Sequence, residues 1–225
     1  MRFDTQRIDS ELRQGPGLEP GMDINPGNIE QIRGLLGAQP SAPMAFEIEE
    51  QLHEAGESGA GPRVFCYRKT NRPKQPCLLW MHGGGYVLGD AEDLQAKRLA
   101  FDLDITVASV EYRLAPEHPF PAGLDDCWQA LSWLSANAEA LGIDAARLAI
   151  GGASAGAGLA AGLALRVRDE QGPDLALQLL LYPMLDNLHA SESGKIETHP
   201  VWSRAKSFAA WQMDLGGAPG EAATT

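Results

Sequence analysis

Hydrophobic positions change their period several times along the chain. Ile29, Ile32, Leu35 and Leu36 recur at helical spacing. Asn25-Pro26 ahead of them offers an N-cap followed by proline at the first helical position, and Gly37 stops the pattern. This predicts a small amphipathic helix that needs a surface to lie on, with Gln39 to Pro43 as a linker. From Met44 the period shortens. Met44 to Leu52 and Arg63 to Tyr67 read as strands joined by a glycine-rich tip, Gly56 to Gly61. Cys77 to Met81 is a continuous apolar run, the mark of a strand buried on both faces, and Ile105 to Val110 is another. Leu148 to Ile150 and Leu175 to Tyr182 complete about six strands. Between them, helical patterns run over Leu94 to Leu103, Asp125 to Leu141, Ala155 to Asp169 and Trp202 to Leu215. Cys127, Leu131 and Leu134 share one helix face, and Phe208 and Trp211 are expected on the inner side of the last helix. Short apolar strands alternating with helices predict an α/β architecture, a parallel sheet covered on both faces.

Composition narrows the function. Thirty Asp and Glu face 18 Lys and Arg in 225 residues, a formal net charge of -12. Such a surface repels phosphate backbones and anionic lipid, so nucleic acid and membrane are not expected partners. Cys66, Cys77 and Cys127 lack the spacing of a metal knuckle or a disulfide framework and fit a reducing, cytoplasmic setting. Met1 to Glu19 is polar and Gly/Pro-rich, carries no apolar run, and is expected to be loosely ordered and not a secretory signal.

Two motifs carry chemistry. Gly152-Ala153-Ser154-Ala155-Gly156 lies directly after a predicted strand and before a predicted helix. A serine there sits on a sharp, strained turn, and side chains two positions before and after it would collide. Small-residue pentapeptides arise often by chance, so the strand–turn–helix context is what gives this one weight. His82-Gly83-Gly84-Gly85 follows the strand Cys77 to Met81. Consecutive glycines let backbone N–H groups approach an oxyanion of the kind acyl transfer develops. A flexible loop or phosphate cradle would also use glycines, but no Lys-Ser/Thr follows and the spacing is not that of a dinucleotide loop.

With the order and separation of these motifs, and with Tyr86, Tyr112-Arg113-Leu114-Ala115-Pro116-Glu117-His118-Pro119-Phe120-Pro121-Ala122 and Leu181-Tyr182-Pro183-Met184-Leu185-Asp186, the chain resembles the hormone-sensitive-lipase-like esterases of the α/β-hydrolase fold. The resemblance covers residues 24–217. It implies Ser154 as nucleophile, an oxyanion hole from the N–H groups of Gly83, Gly84 and Ala155, and Tyr86 beside the pocket. It implies residues 1–43 as a cap segment and 44–225 as the hydrolase core, with short- to medium-chain acyl esters as substrates and no metal or organic cofactor. Ala153 stands where the family commonly has Asp, and Ala157 where glycine is frequent.

The segment Tyr112 to Ala122 reads as structural, with Arg113 and Glu117 pairing or binding backbone, and Asp125 and Asp126 as N-cap and first-turn acid. His118 is read as a loop residue. A serine hydroxyl needs a base oriented by an acid. The family's acid follows its seventh strand and its histidine the eighth, and neither position is read here. The expectation is therefore a core whose last strands are missing. Asp186 with His199 is the conceivable substitute pair, surface loop being the plainer reading of both. An inert fragment or a ligand-binding module of the same fold is the alternative to an esterase, and deacetylation of amides a weaker third. An exposed sheet edge would favour a homodimer.

Overall fold

The computed structural model describes residues 4, 6, 8–11, 23–38, 44–56, 60–199 and 201–219. The predicted linker Gln39 to Pro43, the middle of the glycine-rich tip and most of the N-terminal twenty residues lie outside these. Eleven main elements follow one another: α1 (Ile29–Gly37), β1 (Glu49–Glu54), β2 (Arg63–Arg68), β3 (Gln75–Met81), α2 (Leu94–Leu103), β4 (Thr106–Val110), α3 (Ala122–Ala136), β5 (Ile143–Ala153), α4 (Ala155–Asp169), β6 (Leu177–Leu181) and α5 (Arg204–Leu215).

The six strands form one sheet in the order β1-β2-β4-β3-β5-β6. β1, β2 and β4 pair antiparallel, and β4, β3, β5 and β6 run parallel. β3 at the centre shows why its sequence is continuously apolar. Cys77, Leu79 and Met81 enter the core beneath α3 and α4, with Leu131, Leu134, Leu148, Ile150 and Leu163. Leu78 and Trp80, one residue out of phase, enter the core beneath α2, with Tyr67, Ala96, Ala100 and Val107. The α/β architecture with helices on both faces is thus as expected. A third cluster joins Ile24, Ile29 and Ile32 to Val87, Ala115, Ala210 and Met213, so α1 lies against α5 and the loop after β3.

Several boundaries and contacts differ from the sequence reading. α1 begins at Ile29, because Asn25 spends its carbonyl on Asn28 and Ile29 N–H in a preceding turn, and Leu35 and Leu36 face outward. α3 begins at Ala122, which puts Asp125 in its first turn and Asp126 inside the helix, so neither caps it. Phe208 is exposed: the inner face of α5 is set by Lys206, Ala210 and Met213, spaced four and three apart, and Trp211 flanks it. Arg113 and Glu117 do not pair. Arg113 binds the buried Asp126 through Nε and Nη2, and Glu117 pairs with Arg33 of α1.

Candidate active site

The two glycine-bearing motifs meet because β3 and β5 are adjacent and parallel. Met81 is opposite Gly152 in the ladder, so residues just beyond both strands emerge side by side. A methyl group built on Gly83 would stand 3.5 Å from Ser154 Cβ and 3.1 Å from the Ala153 carbonyl. Ser154 adopts φ 56° and ψ -115°, a strained conformation for a residue with a side chain. The turn is held from both sides: Ser154 N–H donates to the Leu181 carbonyl, and its own carbonyl accepts from Met184 N–H, each at 2.9 Å. The glycines of this elbow are needed sterically. A methyl on Gly156 would lie 2.0 Å from the Met81 carbonyl oxygen, and one on Gly152 would lie 2.4 Å from the Gly156 backbone.

Gly83 and Gly84 donate their N–H groups to no backbone acceptor among the described residues. Ala155, as first residue of α4, has no intrahelical acceptor for its own. These three N–H groups are therefore uncommitted, and those of Gly83 and Ala155 lie next to Ser154. Gly84 takes φ 125° and Gly85 φ 64°, and the Gly84 carbonyl closes a tight turn by accepting from Val87 and Leu88 N–H. Behind the turn, His82 is buried and stacked on Tyr112 with ring centroids 4.3 Å apart. Burial lowers the His82 pKa, so the ring is neutral near pH 7.

Ser154 is half-buried and lines a cavity of about 250 Å³ with Met184, Asp186, His189, Ser191, Trp202 and Ser207 among its walls. Asp186 is there, but as a turn anchor: its carboxylate accepts N–H bonds from Leu188 and Ala190. Burial works to raise its pKa, and these bonds, with the charge of His189, hold it below the usual carboxylate range. The histidine in this cavity is His189. His199 is outside it, its Nδ1 accepting N–H bonds from Val201 and Trp202. The conceivable substitute pair is thus not formed, and the plainer loop reading of both residues describes them: Asp186 anchors one turn and His199 helps start the chain into α5. His189 is one of the two histidines that follow Ser154 in the sequence, but a position three residues past Asp186 carries no motif that singles it out over His199. Trp202 escaped notice, although its ring packs so closely on Gly85 that a methyl there would meet it at 2.5 Å.

Tyr86 does not line the Ser154 cavity. It lines a neighbouring one, also about 250 Å³, with Phe120, Leu124, Leu159, Trp211 and Asp214, and the two cavities share Met184 and Leu185 as a wall. Its hydroxyl donates to the Met184 carbonyl at 2.7 Å. His118 is exposed and lines neither cavity.

A family model for the α/β hydrolase fold matches residues 78–224, which include both motifs and everything between them. The chain belongs to the α/β-hydrolase family. This α/β hydrolase is 40% identical over 193 residues to a protein named esterase LipI from Mycobacterium tuberculosis, a match covering 78% of the chain and 60% of that protein. It is 48% identical over 166 residues to the carboxylesterase NlhH of the same species, covering 72% of the chain and 50% of NlhH. The chain thus spans 50–60% of the length of these curated relatives. Among solved structures, a bacterial heroin esterase superposes with a TM-score of 0.84 at 34% identity, covering 98% of this chain and 73% of that one. Esterase LipW from Mycobacterium marinum follows at 0.82 and 34%, covering 95% and 69%. These names agree with the esterase resemblance carried by the motifs.

Proposed function

We propose that this α/β hydrolase is a carboxylic-ester hydrolase acting through an acyl-enzyme on short- to medium-chain acyl esters. The observation that carries the reading is the juxtaposition of the strained Ser154 with the uncommitted N–H groups of Gly83, Gly84 and Ala155. In this mechanism a histidine base takes the Ser154 Oγ proton as the oxygen attacks the ester carbonyl; within this chain the histidine that shares the Ser154 cavity is His189. The carbonyl oxygen becomes an oxyanion held by the three N–H groups and favoured by the N-terminal end of α4. The alcohol leaves with a proton, and water then releases the acid from Ser154. Tyr86 is read as a wall of the adjoining acyl pocket, supported by the residues its cavity shares with that of Ser154. Residues 1–43 are read as the cap segment, supported by the packing of α1 on α5. No helix among the described residues is long and apolar enough to cross a membrane. A cytoplasmic location is the reading supported by three buried, unbridged thiols. Self-association through β6 is part of the same proposal.

The test is hydrolysis of p-nitrophenyl butyrate by the 225-residue chain beside Ser154→Ala. Turnover that vanishes in the variant is the expected result. Equal inertness of both proteins, with retained binding of the ester, would favour the ligand-binding reading of the fold.

A further inference from the structure

Arg33 reaches two segments that are distant from it in sequence, the turn ending at Val87 and the stretch from Ala115 to Glu117. From α1, its Nε donates to the Val87 carbonyl at 2.8 Å, its Nη2 to the Ala115 carbonyl at 2.6 Å, and its Nη1 to the Glu117 carboxylate at 2.9 Å. Val87 ends the turn that Gly84 closes, so its carbonyl belongs to the loop that presents the Gly83 and Gly84 N–H groups. Ala115 in turn donates its N–H to the Tyr86 carbonyl at 3.0 Å. One guanidinium therefore fixes Val87 directly and Tyr86 through Ala115, bracketing the far side of the glycine turn. Val87 and Ala115 are buried, so both carbonyls need an internal donor. A planar fork with five donors can serve three acceptors in fixed directions, which an ammonium cannot.

We propose that Arg33 is a positioning residue, holding the Gly83–Gly85 loop in the geometry that presents its N–H groups to the oxyanion beside Ser154. Through it the α1 segment becomes part of the catalytic apparatus without touching substrate. The contribution appears in turnover more than in ground-state binding, because the donors are aimed at charge that develops only as Ser154 attacks.

The inference rests on the esterase reading, so two readouts separate them. The first is steady-state hydrolysis by Arg33→Ala, Arg33→Lys and Glu117→Gln. Arg33→Ala is expected to lower kcat by about tenfold to a hundredfold with KM little changed, the size a small misplacement of catalytic groups produces. Arg33→Lys recovers part of the loss, and Glu117→Gln keeps kcat because both carbonyl bonds remain. The second is hydrogen exchange of a peptide covering Gly83–Leu88, which reads the loop even if the chain turns over no ester. There Arg33→Ala speeds exchange of the Val87 and Leu88 amides by about tenfold while β3 and β5 stay protected. Turnover in the wild type with an unchanged kcat in Arg33→Ala overturns the proposal and leaves the esterase reading standing. A wild type without turnover fails the esterase reading, and exchange alone then decides whether Arg33 holds the loop. Unchanged exchange overturns the proposal in either case.

Discussion

Asp214 on α5 is a carboxyl group lodged among Tyr86, Phe120, Leu124 and Trp211. Burial raises its pKa to about 7. The groups around it offer little relief. The Tyr86 hydroxyl is committed to Met184, and the Arg113 guanidinium is committed to Asp126. A raised carboxyl pKa means that the folded state holds this proton more tightly than the unfolded chain. The associated stability is complete below the ordinary carboxylate pKa and is lost as pH rises toward 7. Asp214→Asn is therefore expected to be more stable than wild type at pH 8, by up to about 4 kcal/mol, and to remove that fall with pH. Urea unfolding at pH 4, 6 and 8 reads both effects, and parallel curves for the two proteins would refute them. Nothing in the local sequence marks Asp214 as unusual, because its environment comes from α3, α4 and the loop after β3. Ser154 was legible for the opposite reason: its chemistry depends on neighbours within two residues. The same contrast separates Asp186, visible at the end of a motif, from His189 and Trp202, whose relation to Ser154 exists only once α5 is in place.

At the scale of elements, β2, β3, β4 and the end of β5 were legible because the apolar run in each is buried on its own account. Cys127, Leu131 and Leu134 share a face in sequence and share the core in the fold. The charged connections were not legible. Arg113 and Glu117 lie at a spacing that invites pairing, yet each goes elsewhere. Arg113 reaches the first turns of α3 and Glu117 reaches α1. Asp126 is nearly fully buried and accepts bonds from both the backbone N–H and the side chain of Arg113. Asp126→Ala leaves those donors without their acceptor and is expected to cost about 2–4 kcal/mol. Thermal or urea unfolding measures it, and a loss under about 0.5 kcal/mol, typical of surface substitutions, would show the pair to be incidental.

For the molecule as a whole, two features oppose each other. β6 is the last strand of the sheet among the described residues, and Leu177 on it is 58% exposed, so it offers a ladder to another chain. A net charge of -12 on each copy resists that approach. Salt weakens the repulsion over a Debye length of about 10 Å at 0.1 M and leaves the backbone ladder intact. Self-association is thus expected to rise with ionic strength and to be suppressed by Leu177→Lys. Sedimentation at low and high salt checks this, and a monomer under both conditions would remove β6 from consideration.

The same strand bears on Ser154 in another way. The backbone of the strained serine is tied on both sides to the residues that end and follow β6, through Leu181 and Met184. Edge strands fray first, since only one side of their ladder is paired. Each time β6 frays, the two ties that keep Ser154 in its unfavourable conformation loosen together and the turn can relax. The lifetime of the strained turn is therefore set at the margin of the sheet, so that whatever covers β6 also governs how long Ser154, the proposed nucleophile, keeps its conformation.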